Sequence, residues 1–368
     1  MLGEAGIGKS VLVRKIAAEA SRLGDWVTPQ IRVPSGVDAL RAVAKAVLEL
    51  SQAANLPVSR SKQLRELVNR VRAVSAYGIS LTVDKSPGLE PYAALTELLT
   101  EIGKAAARKG KCVLIHIDEV QNITDHHQLS QLLISLGDVI SLQYEVAGPN
   151  KTTISRTLPV MVYLTGLPEF ADTVGSSAGA TFSRRFQTFT LAPMAADSYQ
   201  LALRPLVISG LPSATTGGAA ARAKGHGTVS IAPDAADKVI ELSGGDPYLF
   251  QLAGERAWYA GSGHVVTVEH VISGWRTLRG EATRHVEKIL ERLPEREREL
   301  LAAMAKLPPE QRSATAVAKQ AGYSDASDIG SAASRLELSR GIIHRGKPYG
   351  FTHRAIEAYF TADWPNVD

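Results

Sequence analysis

The order of apolar and polar positions in the N-terminal half of the chain predicts a parallel α/β sheet. Two continuous apolar runs, Cys112–Asp118 and Pro159–Gly166, have the pattern of strands that are buried on both faces. Helices are predicted where apolar residues recur at helical spacing. The other predicted elements are strands at Trp26–Val33, Tyr77–Asp84 and Gln187–Leu191 and helices at Lys9–Leu23, Val37–Ala53, Arg60–Ser75, Tyr92–Arg108 and Leu129–Ile140. Strands that alternate with helices are typical of a parallel sheet.

The same pattern gives the first helix an inner face and marks two loops. Leu12, Ile16 and Leu23 share one side of the helix, which we expect to face the sheet. Gly148–Thr157 is polar and is predicted to be a loop. Residues 210–230 are rich in Gly, Ala, Ser and Thr, which predicts a flexible loop within a helical region.

The C-terminal pattern predicts a winged helix-turn-helix, in which three helices precede a β-hairpin. Two helices, Pro233–Leu242 and Tyr248–Ala260, come before this module. Its own predicted elements are helices at Arg296–Lys306, Ala314–Ala321 and Ser327–Arg340, two short β segments around Gly346–Pro348, and a last helix at Arg354–Phe360. The third helix, Ser327–Arg340, would be the recognition helix.

Composition is that of a globular protein and adds few constraints. The chain has no apolar run of the roughly 20 residues that span a bilayer, and it opens on a glycine-rich loop rather than a secretory signal. Its only cysteine, Cys112, cannot form an internal disulfide, so we expect a reducing, cytoplasmic environment. Residues 1–110 carry sixteen Lys and Arg against ten Asp and Glu. This surplus permits nucleic-acid binding without arguing for it.

A glycine-rich segment at the start of the chain has the complete Walker A pattern, G-x4-G-K-S. Its glycines let backbone N–H groups surround phosphates, and the helix that follows favours an anion at its N-terminus. Lys9 would contact the β- and γ-phosphates of ATP, and Ser10 would bind Mg²⁺. The predicted nucleotide-binding residues are Gly3, Glu4, Ala5, Gly6, Ile7, Gly8, Lys9, Ser10 and Val11.

The first buried strand ends in a pair of acids, as a Walker B strand does. Asp118 would hold Mg²⁺ directly or through water, and Glu119 would polarise the attacking water. His116, inside the strand, is expected to be buried and hydrogen-bonded rather than a ligand.

These motifs, together with the strand Val160–Gly166, resemble the AAA+ ATPases. The resemblance implies a sensor 1 role for Thr165; the alternative is a strand-terminal Thr that caps a turn. It also implies an arginine finger in Thr181–Phe186, with Arg185 as first choice and Arg184 as second, unless both are surface arginines. A finger acts on a neighbouring subunit, so self-association is implied.

Gly244–Gln251 resembles the Gly-x-Pro lid motif of the origin-recognition and STAND branches of this superfamily. Pro247 would then lie near the nucleotide base, whereas a sensor 2 arginine is not evident in the lid. The implied organisation is an AAA+ core at 1–192, a helical lid at 193–292 and a winged helix-turn-helix at 293–368.

Two functions fit this organisation, and a third fits it less well. The first is an ATP-driven switch that contacts duplex DNA through basic residues at the end of the recognition helix and in the wing, namely Arg335, Arg340, Arg345, Lys347 and Arg354. The second is a STAND-like signalling ATPase whose winged helix mediates autoinhibition or protein interaction. A scaffold without ATPase activity is disfavoured by intact Lys9, Asp118 and Glu119.

Only Met1 and Leu2 precede the Walker A glycines, which is shorter than the usual strand of about 5–6 residues. Since a P-loop normally follows a central buried strand, we expect the first strand of the sheet to be missing here and the native chain to carry an apolar strand upstream.

Overall fold

The structure is a computed structural model that describes residues 1–54, 91–176, 185–208, 211–212, 228–261 and 263–367. The chain divides into two compact units. The first unit contains Met1–Leu2 and Lys9–Phe189, and the second contains Gly3–Gly8 and Thr190–Asp368. The predicted helix Arg60–Ser75, the predicted strand Tyr77–Asp84 and Arg184 lie outside the described residues. Within the described ranges, no helix is both long and apolar enough to cross a membrane.

A parallel sheet organises the first unit, as the sequence predicts. Its elements are α1 (Lys9–Arg22), β1 (Trp26–Val27), β2 (Ile31–Arg32), α2 (Ala39–Ala53), α3 (Pro91–Arg108), β3 (Val113–Asp118), α4 (His126–Ser141), β4 (Gln143–Ala147), β5 (Thr153–Thr157), β6 (Val160–Thr165) and α5 (Glu169–Ser176). Every residue of β3 is buried, and β3 pairs in parallel with β6 along its whole length and with β1 and β2 on its other edge. Beyond β6, Leu2 makes a parallel bridge to Gly166 and donates its N–H to the Phe189 carbonyl at 2.8 Å.

The core of this unit forms where the apolar faces of α2, α3 and α4 pack with the sheet. Leu98 on α3 and Leu136 on α4 are completely buried, together with Ile115 and Ile117 of β3. Burial of each such side chain contributes about 1.5–3 kcal/mol, so the three helices hold β3 firmly in the centre of the sheet. The ends of β3 and β6 are therefore fixed points for the residues that follow them.

The predicted inner face of α1 is wrong for Leu12 and Leu23, whereas the third predicted residue, Ile16, is half-buried. Leu12 is 40% exposed and Leu23 is 68% exposed, whereas Val13 is completely buried. The cause lies at the start of the helix, where the Ser10 hydroxyl bonds to Asp118. Residues three apart lie on the same side of a helix, so the orientation that brings Ser10 to Asp118 also turns Val13 inward.

Three other predictions for the first unit need correction. The predicted loop Gly148–Thr157 contains β5, which pairs with β4 in an antiparallel hairpin. The predicted strand Trp26–Val33 is divided into β1 and β2 around Pro29, which has no N–H to give to the sheet. Gln187–Leu191 is not an assigned strand, although the Phe189 carbonyl accepts the bond from Leu2.

The second unit is largely helical. Its elements are α6 (Ala196–Ile208), β7 (Leu211–Pro212), β8 (Thr228–Ile231), α7 (Pro233–Ser243), α8 (Pro247–Ala260), β9 (Val265–Val266), α9 (Val268–Glu291), α10 (Glu295–Ala305), α11 (Ala314–Gln320), α12 (Gly330–Leu338), β10 (Ile343–His344), β11 (Gly350–Phe351) and α13 (Arg354–Thr361). β10 and β11 pair as an antiparallel hairpin. The 24-residue helix α9 was not predicted, and the predicted recognition helix Ser327–Arg340 is shorter, as α12.

An apolar core runs through this unit from α7 to α13 and includes the fully buried Trp275 of α9. The Trp275 indole donates to the Pro365 carbonyl at 2.7 Å, and the Trp364 indole donates to the Leu242 carbonyl at 3.0 Å. The C-terminal residues are thus tied to the helices that precede the predicted winged helix. The division into a lid and a separate C-terminal domain stays a prediction.

A buried carboxylate inside the second unit changes the interpretation of the predicted basic cluster. Glu297 on α10 is completely buried and accepts hydrogen bonds from Arg335 at 2.6 Å and from Arg340 at 3.2 Å. The Arg340 side chain is 2% exposed, so it cannot contact a phosphate at the surface. The expectation that Arg340 contacts DNA is wrong, and Arg335 is engaged in the same ion pair.

We expect Glu297→Gln to destabilise the protein by about 3–5 kcal/mol, because it removes the negative charge that compensates a buried arginine. Urea unfolding followed by tryptophan fluorescence measures this change. Glu295→Gln, an exposed position on the same helix, is the matched control and should change the unfolding free energy by less than about 0.5 kcal/mol. Equal stability of the two variants would contradict the role given to Glu297.

Candidate nucleotide site

Asp118, the last residue of β3, accepts hydrogen bonds from three separate segments of the first unit. The Ser10 hydroxyl, in the first turn of α1, donates to Oδ2 at 2.9 Å. The Thr165 hydroxyl donates to Oδ1, and the side-chain amide of Gln30 donates to Oδ2. Thr165 ends β6 and is the register partner of Asp118, so the parallel pairing itself brings these two side chains together.

Asp118 is 3% exposed and carries its charge at low cost because of these donors. Burial by itself would raise the pKa of Asp118, but the hydroxyls of Thr165 and Ser10 lower the pKa below its ordinary value. The expectation for His116 is confirmed, because its Nε2 lies 2.9 Å from the Thr165 hydroxyl and burial lowers the pKa of His116. Since Thr165 donates to Asp118, its oxygen accepts the Nε2–H of a neutral His116.

Glu119 follows directly but has a different environment. Its backbone is left-handed, with φ 60°, and its side chain is exposed. The backbone N–H of Glu119 donates to the Asp118 carboxylate at 3.1 Å. The Gln121 amide donates to the Glu119 carboxylate, so this acid has a hydrogen-bond partner within its own turn.

The Walker A residues Gly3–Gly8 belong to the second unit. Gly6 has φ +84°, and a Cβ at this position would lie 2.7 Å from the Tyr248 Cβ, so only glycine fits. Glu4 is buried and forms an ion pair with Arg292. The remaining predicted residues of this motif, Lys9 and Val11, begin α1 with Ser10 in the first unit, where Val11 is 56% exposed.

Pro247 occupies the first position of α8, directly after the buried carboxylate of Asp246. Asp246 caps this helix by accepting the N–H groups of Tyr248 and Leu249. Its Oδ2 also lies 2.8 Å from His285 Nε2 and 3.4 Å from His353 Nε2. Burial would raise the pKa of Asp246, but the two imidazoles hold the pKa well below its usual range.

The predicted arginine finger is engaged within its own chain. Arg185 forms an ion pair with Asp138 on α4, and Arg184 lies outside the described residues. The structure therefore brings Ser10, Asp118 and Thr165 together, while Arg185 contacts Asp138 on α4. The finger stays a prediction.

Two side chains that bond to Asp118 and Glu119 were not predicted from the sequence. Gln30 lies between β1 and β2 and reaches Asp118, and Gln121 lies two residues after Glu119. The short distance in sequence between Gln121 and Glu119 could have indicated this contact. Nothing in the sequence marked Gln30, because its role depends on the pairing of β2 with β3.

Residues 2–143 match the family described as the AAA ATPase domain. The match covers α1 to α4 and contains the Walker A segment with Asp118 and Glu119. It confirms the resemblance to AAA+ P-loop ATPases that the sequence predicts, and this family implies nucleotide binding. None of the curated proteins is significantly similar to the chain.

Several solved structures are similar over almost the whole chain, at low identity. Aeropyrum pernix ORC2 is 13% identical, with 98% of this chain and 84% of that chain covered and a TM-score of 0.48. The Walker-type ATPase of Pyrococcus abyssi is 13% identical, with 98% and 89% covered and a TM-score of 0.46. Aeropyrum pernix ORC1 in complex with DNA is 16% identical, with 98% and 85% covered and a TM-score of 0.35. Because these TM-scores are below 0.5, the assignment of the fold depends on the sheet and the family match.

We expect Thr165→Val to destabilise the protein by about 1–3 kcal/mol, because it leaves the buried Asp118 carboxylate with one donor fewer. Thr165→Ser keeps the hydroxyl and is the matched control, with a loss of about 0.8 kcal/mol for the missing methyl group. Urea unfolding measures both variants. If valine were tolerated as well as serine, the hydroxyl would not be needed to satisfy Asp118.

Proposed function

We propose that this protein is an AAA+ switch that binds and hydrolyses ATP. The observation that carries the proposal is the convergence of Ser10, the last residue of a complete Walker A sequence, with Thr165 and with Asp118, which Glu119 follows directly. In phosphoryl transfer, a protein contributes mainly by positioning the reacting groups and by placing charges at the phosphates. These residue types, at the ends of two paired strands and at the start of a helix, match that requirement.

The residues present fit a nucleotide with Mg²⁺. The hydroxyl of Ser10 and the carboxylate of Asp118 are oxygen ligands of the kind that Mg²⁺ prefers, and they already lie 2.9 Å apart. Ser10 and Asp118 would hold the cation, which neutralises charge on the β- and γ-phosphates when it is bound.

In this proposal Lys9 contacts the phosphates and Glu119 acts on water. The exposed carboxylate of Glu119 accepts a hydrogen bond from the attacking water and aligns it. The Thr165 hydroxyl is held by Asp118 and His116, so its position is fixed in advance of binding. Asp118 stays ionised because its donors lower its pKa.

Self-association is part of the proposal through the finger Arg185. The guanidinium would have to leave Asp138 to reach a neighbouring subunit. An exposed ion pair of this kind contributes at most about 1 kcal/mol. Turnover per molecule that rises with protein concentration would support catalysis in trans, and turnover independent of concentration would contradict it.

We expect Lys9→Ala to abolish ATP binding and Glu119→Gln to keep binding while turnover falls about 10²–10⁴-fold. The first variant removes the charge that meets the phosphates, and the second removes only the acceptor for water. Binding of a fluorescent ATP analogue and release of phosphate measure the two effects.

Lys15→Ala is the control for Lys9→Ala, because Lys15 is an exposed lysine on the same helix. Equal nucleotide affinity of Lys9→Ala and Lys15→Ala would overturn the binding assignment. Turnover of Glu119→Gln at the level of the unmodified protein would overturn the catalytic one.

The leading proposal for the effector is duplex DNA, contacted through the C-terminal module. Helices α10, α11 and α12 followed by the β10–β11 hairpin support a winged helix-turn-helix. Lys347, between the two hairpin strands, is exposed, and Arg354 at the start of α13 is exposed too. Arg345 is paired with Glu337 at 2.7 Å, so the wing contact would depend first on Lys347.

The second candidate is a STAND-like signalling ATPase with an internal clamp. It is favoured by the position of the Asp246 carboxylate at the start of α8. This carboxylate is hydrogen-bonded to His285 on α9 and lies 3.4 Å from Nε2 of His353, the residue before α13. His353 is 1% exposed, so the C-terminal module contributes a buried side chain to this cluster. Such a contact suits a module that restrains its own ATPase.

If duplex DNA is the effector, Lys347→Ala should weaken binding on all sequences alike and reduce the salt slope by about one unit. Fluorescence anisotropy with two unrelated duplexes across a salt series measures both effects. Glu310→Ala, an exposed change in the same module, is the control. Absence of duplex binding at low salt, together with faster ATP turnover in His353→Ala, would favour the signalling candidate instead.

A further inference from the structure

The turn after β3 holds Glu119 in one backbone conformation. Residues other than glycine rarely adopt a left-handed φ, and here the neighbouring bonds enforce it. The Glu119 carbonyl accepts the Asn122 N–H at 2.9 Å, and the Asn122 side chain donates to the Val33 carbonyl at 3.0 Å. The backbone at Glu119 is therefore fixed, while its exposed side chain needs a separate partner to hold its carboxylate in one place.

Gln121 supplies that partner, and its amide is oriented by a second bond. The Gln121 Oε1 accepts the backbone N–H of Leu167 at 3.1 Å, in the loop after β6. A backbone N–H can only donate, so the amide oxygen must face Leu167 and the NH₂ group must face Glu119. Gln121 is therefore the donor and the Glu119 carboxylate the acceptor of the bond between them.

Gly166 makes the close approach of the two loops possible. A Cβ at this position would lie 2.8 Å from Gln121 Oε1 and 2.8 Å from Val120 Cγ2. Any larger residue would push Gln121 away from Leu167. The amide of Gln121 thus connects the turn that carries Glu119 with the loop that directly follows Thr165.

We propose that Gln121 is a positioning residue for ATP hydrolysis, which orients the Glu119 carboxylate towards the attacking water through its anchored amide. The inference rests on the proposed ATPase function. A carboxylate that accepts one bond from Gln121 keeps further lone pairs for water, so the bond orients Glu119 without occupying it. A glutamate without this bond samples many rotamers, only some of which can align a water molecule.

We expect Gln121→Ala to lower kcat about 10- to 100-fold and to leave the KM for ATP and the nucleotide Kd unchanged. Gln121→Glu keeps the length of the side chain and the acceptor for Leu167, but it replaces the donor with a carboxylate that repels Glu119. It should lower kcat at least as much as Gln121→Ala does. Gln131→Ala, at a glutamine whose side chain bonds to His127 on the same helix, is the matched control.

Combination with Glu119→Gln separates an orienting role from a structural one. If Gln121 acts through Glu119, adding Gln121→Ala to Glu119→Gln causes no further loss of turnover, so the two effects are not additive. A structural role predicts losses that multiply. Circular-dichroism melting of each variant checks that the fold is retained, and Gln121→Glu keeps the test valid if Gln121→Ala unfolds.

Failure of this inference differs from failure of the proposed function. If the unmodified protein does not hydrolyse ATP, both are overturned. If it hydrolyses ATP and Gln121→Ala or Gln121→Glu has normal or raised kcat, only the role of Gln121 is overturned. A raised KM with unchanged kcat would likewise overturn it, because that pattern indicates nucleotide binding rather than orientation of Glu119.

Discussion

The charge of Asp118, buried at the end of the central strand, is the constraint on which the first unit depends. A buried carboxylate is tolerated only with several donors, and here they come from the start of α1, the end of β6 and the segment before β2. Each donor fixes the segment that carries it. The rotation of α1 follows from Ser10, and the alignment of the two strand ends follows from Thr165. The arrangement that satisfies the charge also brings Ser10, Thr165 and Asp118 together.

The second unit uses buried carboxylates in a different way. Asp246 caps the N-terminus of α8 and lies close to two histidines, and Glu297 forms ion pairs with two arginines. Because the folded-state pKa of Asp246 lies below its unfolded value, this residue stabilises the unit above the unfolded pKa, and the contribution is lost as pH falls. Glu297 has a consequence for function, because it takes positive charge away from the surface on which a DNA contact would depend.

The sequence predicted those features that depend on local pattern. Residue types and their spacing within each segment are enough to predict the Walker A segment, β3, β6 and helices α2 to α4. Features that depend on distant partners were missed: the inner face of α1 is decided by Asp118, and the role of Arg340 by Glu297. The antiparallel hairpin of β4 and β5 was also missed, since its mostly exposed residues give no apolar signal. Arg335 and Arg340 look like surface charges until the buried acid between them is known.

Asp118 and Glu119 are adjacent acids that the motif treats as a pair, yet their surroundings separate their chemistry. Asp118 is buried, and its donors lower its pKa and hold both of its oxygens. It therefore acts as a fixed negative charge. Glu119 is turned away from the strand by its left-handed backbone and is exposed. The single change of backbone direction between them thus separates a buried, hydrogen-bonded acid from an exposed one, whose carboxylate remains accessible to water.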